Sequence, residues 1–454
     1  MTAQSQSALN KLNKEALSYM PAHADPNAIK EILQNYTVDP AWQRDLYQYL
    51  HAHPELSMQE KNTHARILKE LERFDCRVIA PIGGYGIVAV FHNGEPTHGS
   101  AGPTVLFRAD FDGLPVTETT GAPYASTDTA TRDDGTVTGL MHACGHDMHV
   151  TALLGLCDIM DNNREHWSGT FVALFQPGEE IGRGATAMIT DRLTDRIPRP
   201  DICLGQHVMP GRAGQVQTKP GPQFAACDSI RIRIPGRGAH GSMPHAAVDP
   251  TYTVAHIILR LQGIVGREVA PKDFAVVSVG QVNAGMTNNI IPDHAELVVN
   301  CRFYNDTVKH KVYEAIQRVV IAECEASGIK EEPYFEYFAH GELLDNDRGA
   351  FMTVRSTFDE VFGPDSVDSE PSTVSEDFPN IPLAFGVPYV FWLIGSTPRT
   401  VWDKAVAEDR VITDVPVNHM PTFLPEYEPT VYAATNAAAA AVLTYLAHPL
   451  DRQP

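Results

Sequence analysis

The stretch TVLFRAD, residues 104–110, is apolar along most of its length and charged at its end. Similar runs recur at GIVAVF (86–91), GTFVALFQ (169–176) and DICLGQHV (201–208). Continuous apolar runs are typical of strands that are buried on both faces, as they are in parallel sheets. Helical patterns such as HVTALLGLCDIMDNN (149–163) lie between them. This alternation predicts an α/β fold with a central, mostly parallel sheet.

A different pattern begins near residue 226. SIRIRIPG (229–236) alternates apolar and polar residues, which indicates a strand with one solvated face. The patterns that follow read as a helix, two strands, a helix and a strand. The order β-α-β-β-α-β is that of a split ferredoxin-like unit, so we expect an inserted α+β domain over 226–338. Residues 1–225 and 339–454 are then expected to form one larger, discontinuous domain.

The composition limits the classes of function. A chain of 454 residues is longer than one hydrophobic core usually supports, so two domains are expected. A net charge of −21 disfavours binding to nucleic acid or to an anionic membrane surface. The first twenty residues lack the apolar core of a signal peptide, and no stretch is apolar enough to span a bilayer. Seven cysteines without a C-x-x-C pair indicate reduced thiols, so we expect a cytoplasmic protein.

The stretch MHACGHDMHV (141–150) combines a cysteine, three histidines and an aspartate. On a helix the side chains of Cys144 and His146 would diverge by about 200°, so they can bind one ion only from a loop. Gly145 makes such a turn cheap, and a helical pattern starts near Asp147. At that helix N-terminus the dipole and any bound cation would favour the thiolate of Cys144. The alternative is a structural cysteine beside surface histidines.

Three further segments offer metal-ligating side chains. FQPGEE (175–180) is a strand that ends in two adjacent carboxylates, Glu179 and Glu180, whose side chains point to different sides. One can bind a metal while the other carries a proton, although a lone Glu-Glu pair is also common in acidic surface loops. His207 ends an apolar strand and His419 lies in the loop VNHMPTF. Each alone is more often a packed or exposed histidine than a ligand, but strand ends are where α/β sheets build their sites.

The order and content of seven motifs resemble the M20 family of metallopeptidases and amidohydrolases, in particular its branch of aminoacylases, hippurate hydrolases and indole-acetyl-amino-acid hydrolases. The resemblance spans nearly the whole chain. The motifs are HAHPELSMQE (51–60), RADFDGLP (108–115), MHACGHDMH (141–149), QPGEE (176–180), GRGAHGSMPH (236–245), NIIPD (289–293) and SEDF (375–378).

The resemblance implies two divalent metal ions per subunit, zinc or manganese, with cobalt or nickel as further candidates. The residues that match the metal ligands of the family are Cys144, His146, Glu180, His207 and His419. Glu179 matches the general acid/base, and Asp110 matches the aspartate behind the metal ligands, where it would orient a ligand histidine. The larger domain would then be the catalytic, metal-binding domain.

The inserted domain is implied to serve as a dimerisation or lid domain. Its His240 matches the histidine that the family supplies across a dimer interface to the reacting carbonyl oxygen, so a homodimer is expected. Asn289 and Arg302 match residues that hold the substrate, and Arg302 is suited to a carboxylate. The implied reaction is hydrolysis of the amide bond of a small N-acyl or N-aroyl amino acid to a carboxylic acid and a free amino acid.

Several alternatives remain open from the sequence. The protein could be a metallo-dipeptidase or carboxypeptidase of the same family, a hydrolase that uses Cys144 as nucleophile, or a relative that binds without catalysis. His142 and His149 are further candidate ligands or partners of ligands. Glu376 is expected either in the site or in a structural cap. Gly113 stands where relatives usually have alanine, which should alter packing little.

Overall fold

The computed structural model describes residues 24–94, 102–131 and 135–447. The chain forms two compact units. The first comprises Met1–Gln223, Asn346–Glu370 and Asp377–Pro454, and the second comprises Phe224–Asp345 and Pro371–Glu376. The N-terminal stretch to which the expectation of no signal peptide refers lies outside the described residues.

The strands and helices of the described residues are numbered here in chain order. The strands are β1 Arg77–Ile82, β2 Gly86–Asn93, β3 Thr104–Asp110, β4 Thr129–Thr131, β5 Val137–Gly139, β6 Gly169–Gln176, β7 Ile202–Arg212, β8 Val216–Thr218, β9 Gly221–Phe224, β10 Ala226–Pro235, β11 Ala239–His240, β12 Ala275–Ala284, β13 Ile290–Ile291, β14 His294–Phe303, β15 Tyr334–Gly341, β16 Leu344–Asn346, β17 Ser366–Asp368 and β18 Tyr389–Thr397. The α-helices are α1 Pro26–Asn35, α2 Pro40–Ala52, α3 Lys61–Leu71, α4 His146–Asn162, α5 Gly184–Thr190, α6 Leu193–Arg196, α7 Pro250–Arg267, α8 Asp306–Ala326, α9 Arg348–Phe362, α10 Asn380–Phe385, α11 Arg399–Ala407, α12 Val411–Asp414 and α13 Tyr427–Leu446.

The first unit is built on a mixed sheet with the strand order β1-β2-β6-β3-β7-β18-β8-β17. Its centre is parallel: β3 pairs with β6 on one side and β7 on the other, and β7 pairs in parallel with β18. Three pairs are antiparallel: β1 with β2, β2 with β6, and β8 with β18. Every residue of β3 is buried, as the apolar run of TVLFRAD predicts. The predicted α/β class with a mostly parallel sheet is confirmed.

Helices α4 and α13 pack against each other and against the central strands. Ala437–Ala441 in α13 are fully buried, because five small side chains let the helix lie close to its neighbours. This explains the alanine run in the sequence as a packing surface. Although α13 is 20 residues long, we find among the described helices none whose length and apolar character together would carry it across a membrane.

The second unit has a four-stranded antiparallel sheet of order β12-β14-β10-β15, with α7 and α8 packed on it. Residues alternate along β14 between buried and partly exposed, so one face of the sheet forms the core with the two helices. The connectivity and strand order are those of the ferredoxin-like arrangement that the sequence predicts.

Candidate metal centre

The turn that carries Cys144 and His146 lies at the start of α4. Gly145 caps the helix with a left-handed backbone, φ +82° and ψ 22°, and a Cβ at this position would lie 2.3 Å from the Val208 Cγ2 atom. Only glycine fits both the backbone and the space. Cys144 is therefore presented from a tight turn and His146 from the first position of α4, and both side chains are buried.

A first group of ligand atoms is formed by Cys144, Glu180 and His419, whose candidate donor atoms all lie within 4.8 Å of one another. Glu180 Oε2 lies 3.2 Å from His419 Nε2. His207 joins this group, because its Nε2 is 3.5 Å from the Cys144 Sγ. Its Nδ1 lies 2.8 Å from the Val208 carbonyl oxygen and donates to it, so the Nε2 lone pair points toward the cysteine.

A second group is formed by His146, Glu179 and Glu180. His146 Nε2 lies 3.8 Å from Glu180 Oε1 and 4.0 Å from Glu179 Oε2. Both His146 Nε2 and Glu180 Oε1 are buried, and within the described residues neither has a hydrogen-bond partner. Buried polar atoms are costly unless something satisfies them, and a cation would satisfy an imidazole lone pair and a carboxylate oxygen at once. The five side chains that the sequence proposes as ligands are thus brought together, with Glu180 between the two groups.

Asp112 orients two of these side chains. Its Oδ1 accepts from His146 Nδ1 at 3.1 Å, which leaves Nε2 of that ring for a metal. Its Oδ2 accepts from the Glu180 backbone N–H at 3.0 Å and from the Ser57 hydroxyl at 2.7 Å. The sequence reasoning missed Asp112 and gave this role to Asp110. The D-x-D spacing in RADFD was the available signal.

Asp110 orients His149 instead of His146. His149 Nδ1 donates to Asp110 Oδ1 at 2.5 Å, and His149 Nε2 accepts from the Val208 backbone N–H at 2.9 Å. Both ring nitrogens of His149 therefore take part in hydrogen bonds, through which this side chain supports the strand next to His207. His142, the other histidine left open, is buried with both nitrogens unpartnered among the described residues, and burial lowers its pKa to about 4.

A buried guanidinium balances the charge of Asp110. Arg108 donates to Asp110 Oδ2 at 2.7 Å and to Asp377 Oδ1 at 3.0 Å. Burial opposes ionisation of Asp110, but Arg108, together with the nearby histidines, holds the pKa of that carboxyl well below its usual range. Asp377 of the SEDF motif also accepts from Gln176 Nε2 at 2.6 Å, so it fixes the end of β6.

Glu376, the preceding residue, is buried and belongs to the second unit. Its two expected roles, in the site or in a structural cap, stay predictions, and the helix that follows it in the chain is α10. That helix has Pro379 at its N-cap position and no side-chain cap hydrogen bond.

In the second unit His240 and Asn289 lie together, because β11 pairs with β13 and the Gly241 N–H donates to the Asn289 carbonyl oxygen at 2.7 Å. His240 Nδ1 accepts from the Ser242 backbone N–H at 3.1 Å, so a neutral ring carries its proton on Nε2. Arg302 donates through Nε to the Asn300 Oδ1 atom at 3.2 Å, and its buried Nη1 has no hydrogen-bond partner within the described residues.

The environment of Cys144 argues against a free nucleophile. Burial, followed by the nearby Glu180 carboxylate, raises the pKa of the Cys144 thiol. A thiolate at this place therefore needs a compensating positive charge, which a bound cation supplies.

Comparison with known proteins identifies the chain. Residues 106–411 match the model of the peptidase family M20/M25/M40. The chain belongs to the M20 family. An N-acetyl-L-cysteine deacetylase of Bacillus subtilis is 36% identical over 73% of this chain and 75% of its own length. A thermostable carboxypeptidase of Saccharolobus solfataricus is 31% identical over 74% of this chain and 82% of its own length.

Among solved structures, the Bacillus subtilis YxeP protein, an M20 peptidase described as binding a dinuclear metal, superposes with a TM-score of 0.70 at 26% identity. The match covers 89% of this chain and 98% of that one. Membership of the M20 family, together with the donor atoms described above, makes this chain a metal-dependent amidohydrolase whose residues fit two divalent ions. Its cysteine, histidine and carboxylate donors suit ions of the zinc type.

Proposed function

We propose that this M20 amidohydrolase cleaves the amide bond of N-acyl or N-aroyl amino acids and releases a carboxylic acid and a free amino acid. One observation carries the proposal. Two buried atoms without hydrogen-bond partners in the described residues, His146 Nε2 and Glu180 Oε1, lie 3.8 Å apart, and the Glu179 carboxylate lies beside the same imidazole. The deacetylase among its relatives supports an acylated amino acid as the substrate class.

The metal ions would be held by the five side chains Cys144, His146, Glu180, His207 and His419. Zinc or manganese is proposed, with cobalt and nickel as alternatives. When bound, such ions lower the pKa of a water ligand and polarise a carbonyl group. Asp112 fixes the imidazole of His146 and the backbone of Glu180, so the donors are in place before an ion arrives.

Glu179 is proposed as the general base and acid. Its side chain is 11% exposed, which leaves it within reach of a substrate at the mouth of the site. It takes one proton from the attacking water as the remaining hydroxide bonds to the acyl carbon. It then gives that proton to the amide nitrogen as the C–N bond breaks, which releases the carboxylic acid and the free amine.

The residues of the inserted domain are proposed to bind the substrate. His240 would donate from Nε2 to the acyl carbonyl oxygen, and a donor of this kind typically contributes about 3 kcal/mol to transition-state stabilisation. The Nη1 group of Arg302 would pair with the carboxylate of the amino acid, while Asn289 would hold the substrate beside His240. A local guanidinium explains how a chain with a net charge of −21 binds an anionic substrate.

Two adjacent glutamates give a matched test of this mechanism. Glu179→Gln should abolish turnover and keep the full metal content, because this residue is assigned to proton transfer. Glu180→Gln should lose metal as well as activity, because this residue is assigned as a metal ligand and belongs to both groups of ligand atoms. Metal content by elemental analysis and hydrolysis of N-acetyl amino acids are measured on the same samples. Loss of metal in Glu179→Gln would contradict its role as a base.

A substrate panel tests the reaction class. N-acetyl, N-benzoyl and N-octanoyl amino acids are assayed beside unblocked dipeptides, after removal of metal by chelator and again after addition of Mn²⁺ or Zn²⁺. Metal-restored cleavage of the acylated substrates is expected. Cleavage of dipeptides alone would instead favour a carboxypeptidase or dipeptidase, an alternative that the carboxypeptidase relative supports. Activity that survives chelation but not alkylation would favour Cys144 as nucleophile.

We also propose that the protein is a cytoplasmic homodimer in which the inserted domain supplies His240 to the neighbouring subunit. His240→Ala and Glu179→Gln should each be inactive. After dissociation and reassociation of the two variants together, one intact site forms in each mixed dimer, so about a quarter of native activity should return. Failure to recover activity from mixed dimers would contradict action from the neighbouring subunit.

A further inference from the structure

The side-chain amide of Asn418 lies against the turn that carries Cys144 and against strand β7, which carries His207. Its Nδ2 is 3.3 Å from the Cys144 carbonyl oxygen, 3.1 Å from the Val208 carbonyl oxygen and 3.7 Å from the Cys144 Sγ. Val208 follows His207 and Asn418 precedes His419 in the chain. One amide therefore contacts the backbone beside His207 and both the backbone and the sulfur of Cys144, and its own backbone leads into His419.

The orientation of this amide is fixed by its neighbours. All three atoms around Nδ2 are acceptors, two carbonyl oxygens and a sulfur, so an exchange of Nδ2 and Oδ1 would place an acceptor against three acceptors. Oδ1 is buried and has no hydrogen-bond partner in the described part of the chain. This orientation leaves Oδ1 unsatisfied but places the N–H₂ group against the three acceptors. We take this as a sign that position 418 requires a hydrogen-bond donor.

The backbone after Asn418 is strained. His419 has φ +70°, in the left-handed region that a residue with a Cβ adopts only at a cost. Its N–H donates to the Ala143 carbonyl oxygen at 2.8 Å, which holds the loop against the Cys144 turn. A strained conformation persists only where surrounding contacts determine it, and Asn418 supplies such contacts on the same turn.

We propose that Asn418 is a positioning residue for the metal centre. It ties together the turn of Cys144, the strand of His207 and the loop of His419, and it donates an N–H···S hydrogen bond to the Cys144 sulfur. The inference rests on the proposed function in taking Cys144 as a metal ligand. A hydrogen bond to a ligating sulfur withdraws electron density from it, and contacts of this kind tune a metal site beyond its direct ligands.

The test uses the full-length protein loaded with Co²⁺, whose bond to a thiolate gives a sulfur-to-cobalt charge-transfer band in the near ultraviolet. Asn418→Leu has nearly the same shape and no donor. We expect its charge-transfer band to move to longer wavelength, because the sulfur lone pairs rise in energy when the hydrogen bond is lost. We also expect the dissociation constant for Co²⁺, measured by chelator competition, to rise roughly 10- to 100-fold. Asn418→Asp should weaken binding further, since it turns a carboxylate toward three acceptors.

The control is Asn162→Leu at the opposite end of α4, where the side chain is exposed and donates to Asp158. It should leave both the band and the affinity unchanged. If Asn418→Leu does not fold, Asn418→Ala removes the same donor and must show the same shift. A band that is present but unshifted in a folded variant would overturn the inference alone. A native protein without the band would overturn the assignment of Cys144 as a ligand, and the inference with it.

Discussion

Replacement of His51 with alanine should destabilise the first unit by about 3–5 kcal/mol. The imidazole lies between two carboxylates: Nδ1 donates to Asp147 Oδ2 at 2.6 Å and Nε2 donates to Glu118 Oε1 at 3.1 Å. All three side chains are fully buried. Because Asp147 is the second residue of α4, the interaction fixes the helix that begins at His146. The alanine variant leaves both carboxylates buried without their cation.

The size of the effect follows from the charge state of the ring. Burial alone would lower the pKa of His51, but the bonds to Asp147 and Glu118 outweigh it and raise the pKa from 6.5 to about 9. A shift of that size corresponds to about 3 kcal/mol of differential stability. Since the folded-state pKa is raised, this contribution is fully present below pH 6.5 and is lost as pH rises through 9. The difference between native protein and variant should therefore shrink between pH 7 and pH 10.

His53 offers a matched control two residues away. It faces Asp128 at 3.3 Å, but its side chain is 52% exposed, so His53→Ala should cost no more than about 1 kcal/mol. Urea unfolding followed by tryptophan fluorescence reports on the first unit, because all four tryptophans of the chain lie there: Trp42, Trp167, Trp392 and Trp402. Equal shifts of the unfolding midpoint in the two alanine variants would refute the reasoning.

Three further perturbations test the metal centre. Asp112→Asn should weaken metal binding roughly 10- to 100-fold in chelator competition, and unchanged affinity would remove its orienting role. Gly145→Ala should lower the free energy of unfolding by about 2–4 kcal/mol and reduce the metal content, because it adds a steric clash to backbone strain. Gly121→Ala is the control: its backbone has φ +76° but the added Cβ meets open space, so the strain alone should cost about 1 kcal/mol. Hydrogen bonds to Cys144 and Glu180 raise the pKa of His419 to about 10, so a metal ion must displace its proton, and affinity should rise at least tenfold per pH unit from pH 6 to pH 8. An affinity independent of pH would contradict this.

The sheet of the first unit was predictable because strands buried on both faces leave an unmistakable apolar run. The β3 and β6 strands begin and end at the residues that the runs TVLFRAD and GTFVALFQ indicate. The ferredoxin-like order was predictable for a different reason: in SIRIRIPG, which forms most of β10, apolar and polar residues alternate as they do in a strand with one solvated face. The family could be recognised because short motifs recur in order, each constrained by the chemistry of its side chains.

The partners of the ligands were not predictable from spacing. Asp110 ends β3 and Asp112 follows in the turn, where the two-residue alternation of a strand no longer says which way a side chain points. His146 and His149 are three apart on α4 and lie on the same face, so periodicity alone cannot tell the candidate ligand from the histidine that supports β7. No sequence pattern pointed to a role for Asn418. That role depends on a left-handed backbone at His419, which no pattern of residue types predicts.

The metal centre would also contribute to the charge balance of the first unit. Its buried carboxylates include those of Glu60, Asp110, Asp112, Asp147 and Asp377, while among the described residues Arg108 is the one buried guanidinium and no lysine is buried. Arg108 forms ion pairs with Asp110 and Asp377, and His51 forms one with Asp147. Asp112 contacts the imidazole of His146. Because buried charges need partners, the carboxylates near His146 favour positive charge at this place. Imidazoles such as that of His419, whose pKa is raised to about 10 beside Glu180, can supply it, and divalent ions would supply it in their place. The candidate ligand groups lie among these carboxylates, so the same ions that would activate water would also balance buried negative charge in the fold that holds them.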